Sequence, residues 1–294
     1  ILLLPAVVAF LFDLLSGKDR VGNSVTKPFS SEGSRTKKIV AGAVLALIVA
    51  CVLLPILSFI PVALSENYPI DKSFSLHQFS YVMGSKNGFE YLSHSVIVAL
   101  IVALVGTLCA FVCAYVTAKT KSPASKILHL LSITSLAIPG IVLGLSYVLF
   151  FKTSFIYGTF AIIILVNIIH FFASPYLMVY NSLRKLPPEL EAVGATLGIG
   201  NVRLLRDVIA PQTIGTLLEM FAYFFVNSMM TISAVSFLTN YKTELFALML
   251  PQFDASQTSL APPAIVALII LFVNLLMKGI IGLLKGKLRR SGSR

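Results

Sequence analysis

Charge is what this sequence has least of. Only 12% of its 294 residues are Asp, Glu, Lys or Arg, against roughly 25% in soluble domains. Hydrophobic residues make up 57% and mean hydropathy is +0.90, which excludes an ordinary soluble domain and indicates a polytopic membrane protein. The phosphate-cradling pattern G-x-x-x-x-G-K-[ST] is also missing. The stretch from Gly282 to Lys287 ends in Gly-Lys but lacks the first part and the hydroxyl, so the chain hydrolyses no ATP of its own. No nucleophile elbow, zinc-helix motif or convergent carboxylate pair is present. An enzyme is therefore not expected, and neither catalytic residues nor a cofactor are assigned. Cysteine is scarce: Cys51, Cys109 and Cys113 all lie in apolar runs. Cys109 and Cys113 stand one helical turn apart, but two soft ligands without a nearby His or carboxylate make a poor metal site, and small packing residues are the simpler reading.

What is present is a series of membrane-length apolar runs. Residues Ile1 to Leu15 are too short for the ~20 residues a bilayer needs and read as the end of a preceding transmembrane helix. Ser16 to Lys38 is rich in Ser, Gly, Thr and Lys and reads as a flexible cytoplasmic linker, so a fragment or the second half of a fused protein is expected. Six runs follow: Ile39 to Leu64, Leu92 to Ala118, Ile127 to Phe151, Ser154 to Ser182, Thr213 to Asn240, and Ala261 to Leu284. The predicted fold is all-α, a six-helix transmembrane bundle over 39–284 with a basic tail at 285–294. Pro55, Pro61, Pro139 with Gly140, and Pro175 each predict a bend within a run.

The net charge of +11 does not indicate nucleic acid, because the basic residues flank apolar runs. Lys18, Arg20, Lys27, Arg35, Lys37 and Lys38 precede the first run; Lys119, Lys121 and Lys126 follow the second. Arg184, Lys185, Arg203 and Arg206 follow the fourth, and Lys285, Lys287, Arg289 and Arg290 the last. These are alternate loops, and the positive-inside bias makes them cytoplasmic, with the C-terminus on the same side. The outer segments hold an aromatic group, Tyr68, Phe74, Phe79 and Tyr81, readable as a docking face or as an interface belt. His94 and His129 stand near run ends and read as interfacial.

One cytoplasmic segment, Leu186 to Pro211, is long and soluble in character. Pro188 suits a first helical position, and Glu189 with Glu191 places negative charge at the positive end of the helix dipole. Leu190, Val193 and Leu197 form an apolar stripe, while Ala192, Gly194 and Ala195 leave a small surface. Gly198 and Gly200 end that helix; Asn201 caps a second from Val202 to Ile209, and Pro211 stops it. By pattern alone the segment either contacts a partner or lies on lipid headgroups.

The spacing of Gly198, Val208, Ala210 and Pro211 resembles the cytoplasmic loop signature of binding-protein-dependent ABC importer permeases, an EAA run followed by Gly, aliphatics and Pro. Counting back from Gly198 puts Ala192 at the family's Glu and Val193 and Gly194 at its two Ala; the nearest acid, Glu191, stands one residue early. Met229 to Leu238 and Ala137 to Gly144 resemble permeases for ferric iron and aminoethylphosphonate. The resemblance implies a type I importer permease fold in the bacterial inner membrane. It implies four partners: a cytoplasmic ATPase dimer, a second permease half or copy, an extracytoplasmic solute-binding protein, and the bilayer. It makes Leu190, Glu191, Ala192, Val193, Gly194, Ala195, Leu197, Gly198 and Pro211 the ATPase-coupling residues, with ferric iron or a phosphonate as solute.

Polar groups at membrane depth are costly and normally face a bundle interior or a water path. Asn167, His170 and Ser174 fall on one helical stripe, and Asn227, Ser228, Thr231 and Ser233 do similar duty in the fifth run. These are the translocation-path candidates, with interhelical hydrogen bonding as the other reading. Glu219 is a gate, an ion-pair residue or a snorkelling side chain. It is the only acid within the later runs, so it is also the residue that an ion-gradient-driven secondary transporter would need. A passive channel would need no energy source.

Overall fold

The computed structural model describes residues 35–120, 122–187, 189–253 and 259–291. The expected helix end at 1–15, the linker up to residue 34, and Pro188 lie outside these residues. The chain divides into two units, Ile1–Leu54 and Pro55–Arg294. The described part of the first unit is helical, in a helix α1 (Arg35–Ala63) that carries Pro55 and Pro61 inside it. Arg35 to Lys38, expected as linker, is its first turn. Its apolar side chains, among them Ile39, Leu45 and Leu54, are exposed, as suits a surface in contact with lipid.

The second unit continues with a two-stranded antiparallel hairpin, β1 (Ser65–Asn67) and β2 (Asp71–Phe74). Asp71 accepts a hydrogen bond from the Ser73 N–H at 2.9 Å, and bonding from the Ser73 backbone and hydroxyl holds its carboxyl below the ordinary aspartate value. Helix α2 (Gly88–Lys119) follows and is the central strut, packed against four other helices. Those are α3 (Pro123–Thr134), α5 (Phe160–His170), α6 (Ala173–Leu183) and α9 (Ile214–Met230). Its inward face is built from small residues, including Ala99, Ala103, Gly106, Ala110 and Ala114, all buried. Small side chains let helix backbones approach closely where no hydrophobic effect between helices is available. At Gly106 the Phe224 ring lies so close that an added Cβ would sit 2.9 Å from its tip.

Only three helices are continuous and apolar enough to cross a membrane among the described residues: α1, α2 and the last, α10 (Ala261–Ser291). The other expected runs are broken. The third is α3 and α4 (Gly140–Phe151), set at 111° around Pro139, far more than a kink. Pro139 is the residue before α4, where its fixed φ and missing N–H start a helix at no cost. The fourth is α5 and α6, bent by 51° at Phe171 and Phe172. Pro175 is not the cause: it sits in the first turn of α6, where no N–H partner is needed. The fifth run ends as helix at Met230, and residues 231–239 continue as turns. The basic tail from Lys285 is not a separate element, because α10 runs through it to Ser291, placing cations at the negative end of the helix dipole.

Three of these helices are joined by a buried polar chain. Tyr176 of α6 is fully buried, with its hydroxyl 2.8 Å from Thr117 Oγ1 on α2 and 2.6 Å from His129 Nδ1 on α3. Thr117 in turn donates to the Cys113 carbonyl at 2.9 Å. His129 therefore bonds within the bundle rather than reaching headgroups. His94 also turns inward, to the Glu244 carbonyl at 3.3 Å and against the Phe160 ring.

The close approaches predict opposite outcomes for two glycines. A Cβ at Gly144 would stand 2.5 Å from the Ala234 carbonyl oxygen, whereas one at Gly279 meets nothing within 4 Å. Gly144→Ala should lower the thermal midpoint of the purified chain, through an overpacking cost of about 1–3 kcal/mol. Gly279→Ala should raise it or leave it unchanged, since alanine is favoured over helical glycine by about 1 kcal/mol. Equal effects in a thermal-shift assay would contradict the packing described.

Candidate functional site

Two groups of residues draw attention: the loop between α6 and α9, and the polar groups around the helix breaks. The loop folds as α7 (Leu190–Thr196) and α8 (Asn201–Gln212). Helix α7 ends as glycine chemistry dictates. Gly198 has φ +66°, Ile199 N–H donates to the Gly194 carbonyl at 2.8 Å, and Gly198 N–H to the Ala195 carbonyl at 3.1 Å. This paired closure satisfies carbonyls the helix would leave open. Asn201 does not cap α8: Gly200 is the cap, and the Asn201 side chain makes no capping bond. Pro211 does not stop the helix either. A wide π-turn over Leu205–Ile209 precedes it, which relaxes the clash between the proline ring and the carbonyl four residues back, and the 79° turn into α9 comes at Thr213.

The loop is held to the bundle by an ion pair and by packing. Lys119 Nζ, at the end of α2, lies 3.1 Å from Glu191 Oε1, with side-chain exposures of 13% and 29%. Leu204 and Ile209 are buried in the main core, with Ile199, Leu205 and Val208 partly buried against it. Gly194 faces inward: a Cβ there would meet the Leu204 side chain at 3.3 Å. It therefore belongs to the α7–α8 contact and not to the outer surface expected for it. Leu190 and Glu191 are half-buried, whereas Ala192, Ala195 and Gly198 are exposed. Val193 is 52% exposed, Leu197 69% and Val202 81%. The outer face of the loop thus presents Val193, Leu197 and Val202, while its inner side is packed on the bundle.

The translocation-path candidates of the fourth and fifth runs lie in several places. His170, at the end of α5, and Ser233, in the turns after α9, meet at Gly140, where an added Cβ would lie 2.5 Å from Ser233 Oγ and 3.0 Å from the His170 ring. Ser174 stands beyond the bend, half-buried on α6. Asn167, Ser228 and Thr231 are buried; Asn167 donates to the Ile163 carbonyl at 2.9 Å. Asn167 Oδ1, His170 Nδ1, Ser228 Oγ, Thr107 Oγ1 and Asn274 Oδ1 are buried without a protein partner, an uncommon state for a polar atom.

Asn227 lines a cavity of about 410 Å³ with Glu219 and Tyr223 of α9, Met178 of α6, and Lys278 and Lys285 of α10. Glu219 is ion-paired with Lys285, so of the roles open to it the structure realises the ion pair. Lys278 escaped the sequence reading, although a lysine inside an apolar run is a plain signal. At the opposite end, Glu66, Asn67, Asp71, His77 and Tyr81 line an open cleft of about 570 Å³ beside the hairpin, with Ile70, Phe74 and Phe79 exposed. Among the described residues no group of three or more His, Cys, Asp or Glu is placed to hold a metal ion.

Two solved structures share this arrangement. A bacterial ABC transporter involved in the import of the acidic polysaccharide alginate is 12% identical and covers 89% of this chain and 99% of its own, with a TM-score of 0.66. The MetNI methionine ABC transporter, in inward-facing conformations, is 14% identical and covers 74% of this chain and 99% of its own, with a TM-score of 0.58. At such identities the likeness is one of fold. No curated protein matches the sequence. Residues 106–290, more than half of the chain, match the family described as binding-protein-dependent transport system inner membrane component. The span from α2 to α10, with its broken helices and loop, is therefore that of an ABC importer permease, and the chain belongs to this family of inner-membrane transport components.

Proposed function

We propose that this permease takes mechanical work from a cytoplasmic ATPase dimer through α7 and α8, and passes solute along a path formed with a second permease half or copy. The observation that carries this reading is the outer face of the loop. Val193 and Leu197 are exposed on and just after α7, which the Lys119–Glu191 pair ties to α2, and Val202 is exposed on α8. An exposed apolar patch on a basic loop that is itself packed on the bundle fits a partner's groove better than it fits water. The C-terminus and the loop then share the cytoplasmic side, and the exposed hairpin end faces a solute-binding protein. Closure of the ATPase dimer brings two such loops together, and rocking of the halves exposes the path alternately to each side. The ion-gradient alternative needs a free carboxylate in the later spans; Glu219 is engaged by Lys285.

The solute class we assign is ferric iron or a phosphonate, from the resemblance of Met229 to Leu238 and of Ala137 to Gly144. In proteoliposomes holding the complex with its binding protein, uptake of one of these should saturate and require ATP. Uptake that ignores ATP and follows a proton or sodium gradient would overturn the energy source, and transport of neither solute would overturn the class.

The loop is tested separately. Leu197→Asp should weaken attachment of the ATPase by about 2 kcal/mol, roughly thirtyfold, as expected for a central apolar contact. Wild-type co-purification and uptake with both Leu197→Asp and Val202→Asp in place would exclude coupling here. Glu191→Lys and Lys119→Glu should each reduce ATP-driven uptake, and the double exchange should restore most of it; additive losses would show that the pair does not position α7.

A further inference from the structure

The cavity between α6, α9 and α10 carries charge that the coupling mechanism does not use. Lys278, Ile281, Gly282 and Lys285 line it from α10 at i, i+3, i+4 and i+7, one stripe of a helix. The opposite wall is Glu219, Tyr223 and Asn227, at successive four-residue steps of α9. Lys285 holds Glu219. Lys278 has no carboxylate within ion-pair distance among the described residues, and it stands seven residues, about 10 Å along the axis, deeper into the span than Lys285. A charged side chain at such depth is retained where something compensates it.

We propose that this cavity is an anion site for a phosphate-type group, with Lys278 as its principal cationic ligand. The charge balance fits: two ammonium groups and one carboxylate leave one positive charge for a monoanion. The Glu219–Lys285 pair neutralises the carboxylate that would otherwise repel the ligand. The donors suit a group with several acceptor oxygens. Lys278 offers up to three N–H bonds, and the Asn227 amide, which spends one N–H on the Tyr223 carbonyl at 2.8 Å, retains a second. Gly282 opens the floor, since a Cβ there would meet nothing within 4 Å. Its volume of about 410 Å³ is within the range of small-ligand pockets. The remainder of the lining, Met178, Ala222, Val226 and Ile281, is apolar, while Lys278 and Gly282 are exposed, so the site is open to an entering ligand and its charged groups stand against an apolar wall. The group can come from a lipid headgroup entering between the helices or from a free anion in the aqueous path.

The full chain in nanodiscs distinguishes these sources and needs neither ATP nor the ATPase, so its failure is separate from failure of the coupling reading. In phosphatidylcholine discs, titration with inorganic phosphate and with methylphosphonate should raise the thermal midpoint saturably if the ligand is a free anion. If it is a lipid, those titrations are silent. Native mass spectrometry of protein from discs containing phosphatidylglycerol then retains the anionic lipid. In either case Lys278→Gln should weaken the response about tenfold or more, the loss of one charge-assisted contact, while Lys278→Arg preserves most of it. No response to either source in the wild type, or the same response in Lys278→Gln as in the wild type, would overturn the proposal. Lys278→Arg guards against reading a folding defect as lost binding, because it keeps the charge at the same position.

Discussion

Hydrocarbon offers no hydrogen bonds, so a chain that breaks its helices inside a membrane must satisfy the freed backbone groups from within. Three of the runs in this permease are broken, and the rest of the structure follows from how the breaks are satisfied. Ser135, between α3 and α4, accepts a hydrogen bond from the Ala173 N–H at 3.2 Å, so one break caps the next. The turns after α9 close on themselves, Val235 to Ile232 and Leu238 to Val235. Beyond them Ser95 of α2 accepts from the Phe246 N–H at 2.7 Å, and Asn240 donates to the Gly158 carbonyl at 2.8 Å. These bonds require near contact between backbones, and Gly140 and Gly144 make it possible, because each lies where a side chain would collide with the 233–234 turn.

The same helix serves both ends. Ser95 and Lys119 lie on the unbroken α2, 24 residues apart, or about 36 Å at helical rise. One end supports the irregular segment after α9 and the other holds the loop helix α7. Just inside the loop end, Thr117 is tied through Tyr176 to His129, which fastens α6 and α3 to the strut. A buried polar chain is worth most when every member is satisfied. A direction of donation that satisfies each hydroxyl runs from His129 Nδ1–H to Tyr176, from Tyr176 to Thr117, and from Thr117 to the Cys113 carbonyl. In the proposed coupling, force on α7 would therefore meet a cross-braced end and not a lone helix.

The long apolar runs announced α1, α2 and α10, because an unbroken helix of membrane length is written in consecutive residues. The breaks were legible only where proline and glycine coincide, at Pro139 and Gly140. The α5–α6 bend and the end of α9 at Met230 have no such marker; at the bend the Ala173 N–H is satisfied by Ser135, distant in sequence, and no local pattern reveals such a partner. Ser174 leaves the stripe of Asn167 and His170 for this reason, since a stripe through all three presumes a straight helix. The loop was readable in its glycine stop at Gly198 but not in which way its short helix faces. Seven residues span two turns, and the contact between Gly194 and Leu204 decides the orientation.

That orientation bears on the acid of the loop signature. The spacing from Gly198 puts the signature Glu at Ala192, yet the acid here is Glu191. One residue turns the side chain by about 100° around a helix. At position 192 the side chain is exposed, whereas at 191 it points back to Lys119, with both partners largely withdrawn from water. A half-buried ion pair of this kind is less screened than a surface pair and is costly to break by removing one partner. The displacement thus converts an outward charge into an internal brace, and it leaves Ala192, Val193 and Leu197 facing out. In the proposed contact with the ATPase, α7 then contributes shape and apolar area, and charge recognition falls to the basic residues around it, Arg203 and Arg206 of α8. Arg203 is paired with Asp207 at 3.5 Å, but both side chains are exposed, and so weak a surface pair leaves Arg203 as well as Arg206 able to meet a partner's charge.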